Sequence, residues 1–222
     1  MTFNAVIFDL DGTLLDTIED LLNTLNNVLA QHNYPIHTLE ECRFLIGNGM
    51  RELVRKALPE TAATPETIDL LLPEFMAHYA ENWNLHSRPY PGIAKMLNTL
   101  TKQGIKKAIL SNKADQFTQL CANILLQQWH FDVVMGTQCG IAHKPDPAGA
   151  LFVAKMLHTD PSEILYVGDS GIDMLTASRA GMYPLGVLWG FRPESELLEF
   201  GAKKLIRHPD EIISILQKCS KL

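Results

Sequence analysis

Cysteine, one-sided charge and long apolar runs are all scarce in this chain, and each shortage removes a class of protein. Its four cysteines, Cys42, Cys121, Cys139 and Cys219, stand far apart with no paired C-x-x-C spacing. A thiolate metal site or a disulfide framework is therefore not expected, and reduced thiols are. The 19 Lys and Arg are scattered among 25 Asp and Glu, leaving a formal net charge of -6. Such a surface is not expected to hold nucleic acid or an anionic membrane. No apolar run approaches the roughly 18 residues that span a bilayer. Met1-Thr2-Phe3-Asn4 puts no basic residue ahead of an apolar stretch, so a secretory leader is not expected and the cytoplasm is the expected compartment. Repeats and low-complexity tracts are absent too. What remains, 46% hydrophobic and 20% charged over 222 residues, fits one large globular domain or a main domain with a smaller companion.

Periodicity divides the chain. After the apolar run Ala5-Val6-Ile7-Phe8, which reads as a buried strand, apolar residues recur at Ile18, Leu21, Leu22, Leu25, Val28 and Leu29 with helical spacing. A capping box is expected from Thr17 to Asp20, and a second box-like opening at Thr38-Leu39-Glu40-Glu41. Gly47-Asn48-Gly49 interrupts, and a helix is expected to resume over 50–58. Ala63-Thr64-Pro65-Glu66 places an N-cap before a first-turn proline, opening a helix that ends near Asn84. From about Asp16 to Arg88 no strand is expected; Pro89-Tyr90-Pro91-Gly92 is a rigid return point.

Beyond it helices alternate with short apolar strands. Strands are expected at 107–110, 131–135, 164–167 and 184–188, separated by helices over 93–103, 115–127, 148–157 and 173–180. Residues 204–206 add an edge strand and 211–216 a last helix. This order predicts an α/β fold: a Rossmann-like parallel sheet with helices on both faces, carrying an inserted α-helical cap domain. The core is expected to comprise residues 1–15 and 89–222, and the cap residues 16–88.

Ligands of open parallel sheets bind beyond the carboxyl ends of the strands, and polar residues crowd those ends. Asp9-Leu10-Asp11-Gly12-Thr13 follows the first strand; Ser111-Asn112-Lys113 follows the strand at 107–110. Gly168-Asp169-Ser170-Gly171-Ile172-Asp173 follows the strand at 164–167, and His143-Lys144-Pro145-Asp146-Pro147 lies in the loop after 131–135. Two carboxylates one residue apart beside an apolar strand disfavour each other's charge, and a bound cation relieves that cost. Carboxylates of Asp9 and Asp169 suit Mg²⁺, a hard ion that takes few protein ligands and keeps waters or phosphate. Asp173 is placed to orient a metal-bound water or the neighbouring backbone, and Thr13 to tie the turn. The Ser111 hydroxyl, the N–H groups of Asn112 and Lys113 and the mobile charge of Lys144 make a phosphate cradle. Phosphoryl transfer needs cations around the non-bridging oxygens and a nucleophile in line with the leaving oxygen.

The four segments, in this order and over nearly the whole chain, resemble the haloacid dehalogenase superfamily of aspartate-dependent phosphohydrolases. Asp9-x-Asp11-Gly12-Thr13 is similar to its first motif, Ser111 to its second, Lys144 to its third and Gly168-Asp169-x3-Asp173 to its fourth. The resemblance implies that Asp9 attacks phosphorus, and that Asp11 protonates the leaving alkoxide and then activates water. It also implies Mg²⁺ held by Asp9, the backbone carbonyl of Asp11, and Asp169, with Ser111 and Lys144 on the phosphoryl oxygens. The segment from Asp16 to Arg88, with Gly47-Asn48-Gly49 in it, resembles the cap of the phosphoglycolate phosphatase-like branch, which implies a small phosphate monoester as substrate.

Blander roles exist for each residue. Ser111 caps a following helix, Lys144 is one more solvated lysine, and Asp173 faces a helix dipole. Arg51 either reaches an anionic substrate or sits in water; His143 is a loop residue; Trp83, Trp129 and Trp189 pack at core edges. A phosphosugar mutase would use the same two aspartates. Pyrophosphate and nucleoside monophosphates lie under similar caps. A receiver module joins similar groups around Mg²⁺ but has roughly half this length and no inserted helices. A non-catalytic relative would normally lack Asp9 or Asp11.

Overall fold

All four residues of Ala5–Phe8, the first strand (β1), are buried, as a strand covered on both faces requires. The computed structural model describes residues 2–138 and 140–218. After β1 come the short strand Leu15–Asp16 (β2), helices Ile18–Gln31 (α1), Leu39–Leu45 (α2), Met50–Ala57 (α3) and Pro65–Asn82 (α4), and the strand Arg88–Pro89 (β3). Alternation follows: Ile93–Lys102 (α5), Lys106–Ala114 (β4), Asp115–Leu125 (α6), Val133–Thr137 (β5), Ala148–Met156 (α7), Ile164–Gly168 (β6), Gly171–Arg179 (α8) and Tyr183–Val187 (β7). Glu194–Glu199 (α9), Lys204–Ile206 (β8) and Glu211–Lys218 (α10) complete the order; α9 was not expected from the sequence.

The sheet is parallel throughout, in the order β5-β4-β1-β6-β7-β8. Successive side chains of a strand point to opposite faces, and here they feed two clusters. Val6, Phe8, Ile109, Leu165 and Val167 pack with α5, α6 and α10. Ala5, Ile7, Ala108, Leu110, Ile164 and Tyr166 pack with α7 and α8. This is the Rossmann-like arrangement. The chain leaves β1 for β4 on one side and reaches β6 on the other, so the ends of β1, β4 and β6 meet at the sheet's switch point.

Helices α1–α4 lie between β2 and β3, which pair antiparallel, Leu15 with Pro89 and Asp16 with Arg88. The outward and return crossings are thus hydrogen-bonded to each other where a strand was not expected. The apolar stripe of α1 (Ile18, Leu21, Leu25, Val28, Leu29) joins one cluster with Ile68, Leu71, Phe75 and Tyr79 of α4. Phe75 is fully buried, and a side chain of that size contributes about 2–3 kcal/mol on leaving water. After β7, Arg192 donates to the carbonyls of Arg43, Phe44 and Ile46 at the end of α2, and its guanidinium lies 5.4 Å from the Phe44 ring centre. Among the described residues no helix is long and apolar enough to cross a membrane. Cys42 and Cys121 are buried free thiols; Cys139 and Cys219 lie outside the described residues.

Several boundaries moved, each for a local reason. β4 runs on to Ala114 because Ala114 pairs with Thr137 after a break in register beyond Leu110, so Ser111–Lys113 form a bulge instead of a loop. β5 begins at Val133 because the Asp132 carboxylate instead accepts the Lys107 N–H. The capping box at Thr38 and Glu41 forms and Thr64 caps α4, but Thr17 makes no side-chain cap. The Thr17 hydroxyl donates to Asp11 instead, at 2.7 Å. Asp20 is buried and accepts from the backbone N–H groups of His86 and Ser87 and from the Ser87 hydroxyl, at 2.7–3.1 Å. Asp20→Asn would turn an amide donor toward those N–H groups. It should lower the unfolding free energy in urea by about 1–3 kcal/mol with little effect on the strand-end residues.

Candidate active site

The carboxylates of Asp9, Asp169 and Asp173 are buried, with one oxygen of each lying within 4.8 Å of the others. β1 delivers the first, and β6 with the opening turn of α8 delivers the other two. Lys144 Nζ lies 2.9 Å from Asp9 Oδ1 and 2.7 Å from Asp173 Oδ1, and donates to the Leu110 carbonyl at 3.2 Å. Asp173 also accepts from the N–H and hydroxyl of Ser170, closing the capping box of α8. Its carboxylate therefore contacts both Lys144 and the Ser170 backbone. Thr13 donates to Asp169 Oδ1 at 3.1 Å, and the Phe191 N–H to Oδ2 at 2.8 Å. Gly12, at φ +85°, and Gly190 crowd that carboxylate so closely that a Cβ on either would run into it.

Asp11 faces elsewhere. Its carboxylate accepts from Thr17 and from Lys113 Nζ, at 3.1 and 3.2 Å to the two oxygens, and lies outside the three-carboxylate group. Neighbours in sequence thus have separate surroundings. Ser111 Oγ accepts the Lys113 N–H at 3.2 Å. That N–H is consequently engaged, contrary to the expectation that the N–H groups of both Asn112 and Lys113 would form the cradle. Asn112 acts through its side chain. Nδ2 donates to the carbonyls of Lys144 and Gly47, both at 3.0 Å, and Oδ1 accepts the Lys144 N–H at 2.9 Å. It ties the lysine loop to the glycine turn before α3.

Electrostatics explains what the cluster wants. Burial, followed by repulsion from Asp173, pushes Asp9 up to about 7; burial, then Asp173 and Asp9, pushes Asp169 up to about 8. Burial opposes the charge on Lys144, but Asp173 and then Asp9 outweigh it and raise its pKa. Fully ionised, the four carboxylates (Asp9, Asp11, Asp169, Asp173) would face two ammonium groups (Lys113, Lys144) with an excess of two negative charges, and the raised carboxyl values are, beside burial, the response to it. Hard oxygen donors with that imbalance fit a divalent cation such as Mg²⁺. Asp9, Asp169 and the Asp11 backbone carbonyl could hold it.

The cleft beyond is lined by Asp9, Asp11, Ser111, Asn112 and Lys113 on the sheet side, and by Leu21, Ile46, Gly47, Gly49, Met50 and Leu53 opposite. Ser111 and Lys144 share a second hollow beside it. Arg51 lies with its guanidinium 2.6 Å from exposed Asp69, so it belongs to the helical surface. His143 is an exposed loop residue, although its ring would meet a Cβ at Gly49. Trp189 donates to the Thr13 carbonyl, Trp129 to Asn98, and Trp83 is buried. The Lys113 side chain and Tyr79, whose hydroxyl accepts from Lys113 at 2.8 Å, were not singled out from the sequence, and Thr17 was expected only as a helix cap. A strand continued through Ala114 would have placed Ser111 and Lys113 on one side and exposed the signal.

A parallel sheet with aspartates after its first strand and a carboxylate–lysine cluster at its switch point defines a class, and sequence comparison agrees with it. The chain belongs to the haloacid dehalogenase-like hydrolases, whose family profile matches residues 6–187. It is 35% identical over 198 residues to phosphoglycolate phosphatase 1 of Pseudomonas aeruginosa, covering 86% of this chain and 72% of that one. It is 31% identical to the N-acetylmuramic acid 6-phosphate phosphatase of the same organism, covering 98% and 96%. A crystal structure from Lactobacillus delbrueckii subsp. bulgaricus, provisionally described as a phosphoglycolate phosphatase, superposes with TM-score 0.92 at 29% identity, covering 97% of this chain and 99% of that one.

The raised carboxyl pKa values carry a sign. A folded state that holds protons more tightly than the unfolded chain is favoured at low pH and loses that advantage as pH rises. Without divalent ions, stability should therefore decline from the ordinary carboxyl range up through about 7 to 8, where Asp9 and Asp169 ionise. Saturating Mg²⁺ should flatten the decline, measured as urea midpoints from pH 5 to 9 with and without the ion. A slope that Mg²⁺ leaves unchanged would remove the cation assignment.

Proposed function

We propose that the protein is a Mg²⁺-dependent phosphatase that hydrolyses a small organic phosphate monoester, phosphoglycolate-like, through an aspartyl-phosphate. The observation that carries this is the divergence of Asp9 and Asp11. One sits in a carboxylate cluster against Lys144, the other turns to Thr17 and Lys113. A nucleophile must be ionised and an acid must hold a proton, so two adjacent carboxylates need different surroundings.

In this reading an Asp9 oxygen attacks phosphorus as the bond to the leaving oxygen breaks, and the Asp11 carboxyl gives its proton to the alkoxide. Asp11, now ionised, takes a proton from water. The hydroxide attacks phosphorus, the bond to Asp9 breaks and inorganic phosphate leaves. Ser111 and Lys144 hold phosphoryl oxygens, Asn112 keeps the Lys144 loop in place, and Thr13 and Asp173 fix Asp169 and Lys144. Mg²⁺, bound by Asp9, the Asp11 carbonyl and Asp169, would supply charge neutralisation of the phosphoryl oxygens and keep Asp9 ionised. Residues 16–88 act as a cap whose Leu21, Ile46, Met50 and Leu53 face the organic group, over a core of residues 1–15 and 89–222. The relatives named above support phosphate esters of hydroxy acids and amino sugars as the substrates to try first. The free thiols fit a cytoplasmic setting.

Phosphate release from a panel of phosphorylated metabolites, phosphoglycolate included, should depend on Mg²⁺ and stop with EDTA. Asp9→Asn should reduce kcat at least about 1,000-fold while leaving the urea midpoint near that of the parent. More than a tenth of the parent rate in that variant, or turnover without metal, would overturn the assignment.

A further inference from the structure

Lys113 is buried among groups that give it three partners for its three N–H bonds. Nζ lies 3.1 and 3.2 Å from the two oxygens of Asp11 and donates to the Tyr79 hydroxyl at 2.8 Å, and the side chain is 2% exposed. Tyr79 is itself fully buried and comes from α4, on the far side of the β2–β3 crossing. Its ring packs edge-on against Phe117 of α6, with centroids 4.9 Å apart. A side chain so enclosed has one geometry, and so has the carboxylate it grips. Thr17 and Lys113 both bond Oδ1 of Asp11, whereas Oδ2 has Lys113 alone. Oδ2 is the less engaged of the two oxygens.

We propose that Lys113 is the positioning residue of the acid–base carboxylate, fixing Asp11 at the wall of the cleft, and that Tyr79 steadies Lys113 from the inserted helices. The proposal rests on the role given to Asp11 above. It separates Lys113 from Lys144: one lysine serves the attacking carboxylate, the other the proton donor. It also makes the proton donor's geometry depend on where α4 lies, because the third N–H bond of Lys113 ends on a helix outside the sheet.

The distinguishing readout is the leaving group. An alkoxide needs a proton as it departs; 4-nitrophenolate does not. With enzyme in excess and Mg²⁺ saturating, single-turnover rates measure the first step alone, using an alkyl phosphate that the parent hydrolyses and 4-nitrophenyl phosphate. Lys113→Met should slow the alkyl ester about 100-fold, within the range general acid catalysis supplies, and the aryl ester by less than about 5-fold. Tyr79→Phe, which keeps the ring and its packing, should show a smaller loss with the same selectivity, and Lys113→Arg should recover part of it. Equal losses with both esters, no loss, or a change confined to KM would overturn the proposal. Tyr79→Phe keeps it testable should Lys113→Met fail to fold. A parent enzyme that consumes neither ester would instead remove the phosphatase reading.

Discussion

Excess negative charge enclosed at one edge of the sheet is the constraint on which this structure turns. Asp9, Asp169 and Asp173 converge within 4.8 Å in a place where water does not screen them, and mutual repulsion there is severe. Much of the surrounding architecture is a response. Lys144 is driven between Asp9 and Asp173, the Ser170 N–H at the start of α8 donates to Asp173, and the Phe191 N–H donates to Asp169. Glycine stands at 12 and 190 because any larger residue would occupy the space of the Asp169 carboxylate.

The sheet and its helices were readable because buried parallel strands are nearly continuous apolar runs, as in Ala5–Phe8 and Ile164–Val167, separated by amphipathic stretches. The strand-end residues were readable for a related reason: a carboxylate directly after such a run has nowhere solvated to go. What escaped was settled by contacts between distant segments. Thr17 and Asp20 have the spacing of a capping box, but a carboxylate at 11 and the backbone at 86 and 87 compete for them, and tertiary partners win. The bulge at 111–113 depends on pairing with Thr137, which no local pattern announces. Nothing local marks the Lys113 side chain for burial, since lysine is usually exposed; only the arrival of Tyr79 and Asp11 accounts for it.

The inserted helices and the sheet are joined by more than their two crossings. One apolar cluster runs from α1 and α4 into the face of the sheet. Asn112 links the glycine turn before α3 to the lysine loop, and through it the wall of the cleft shares a hydrogen-bond network with the phosphate side.

The end of α2 carries a last consequence. A helix leaves its final carbonyls unpaired, and here the side chain that satisfies them, Arg192, belongs to the loop after β7. That helix terminus is finished only when the two parts of the chain are apposed. Pulling the loop after β7 away would return those carbonyls to water, so the order of one short helix end depends on a segment almost 150 residues further along the chain.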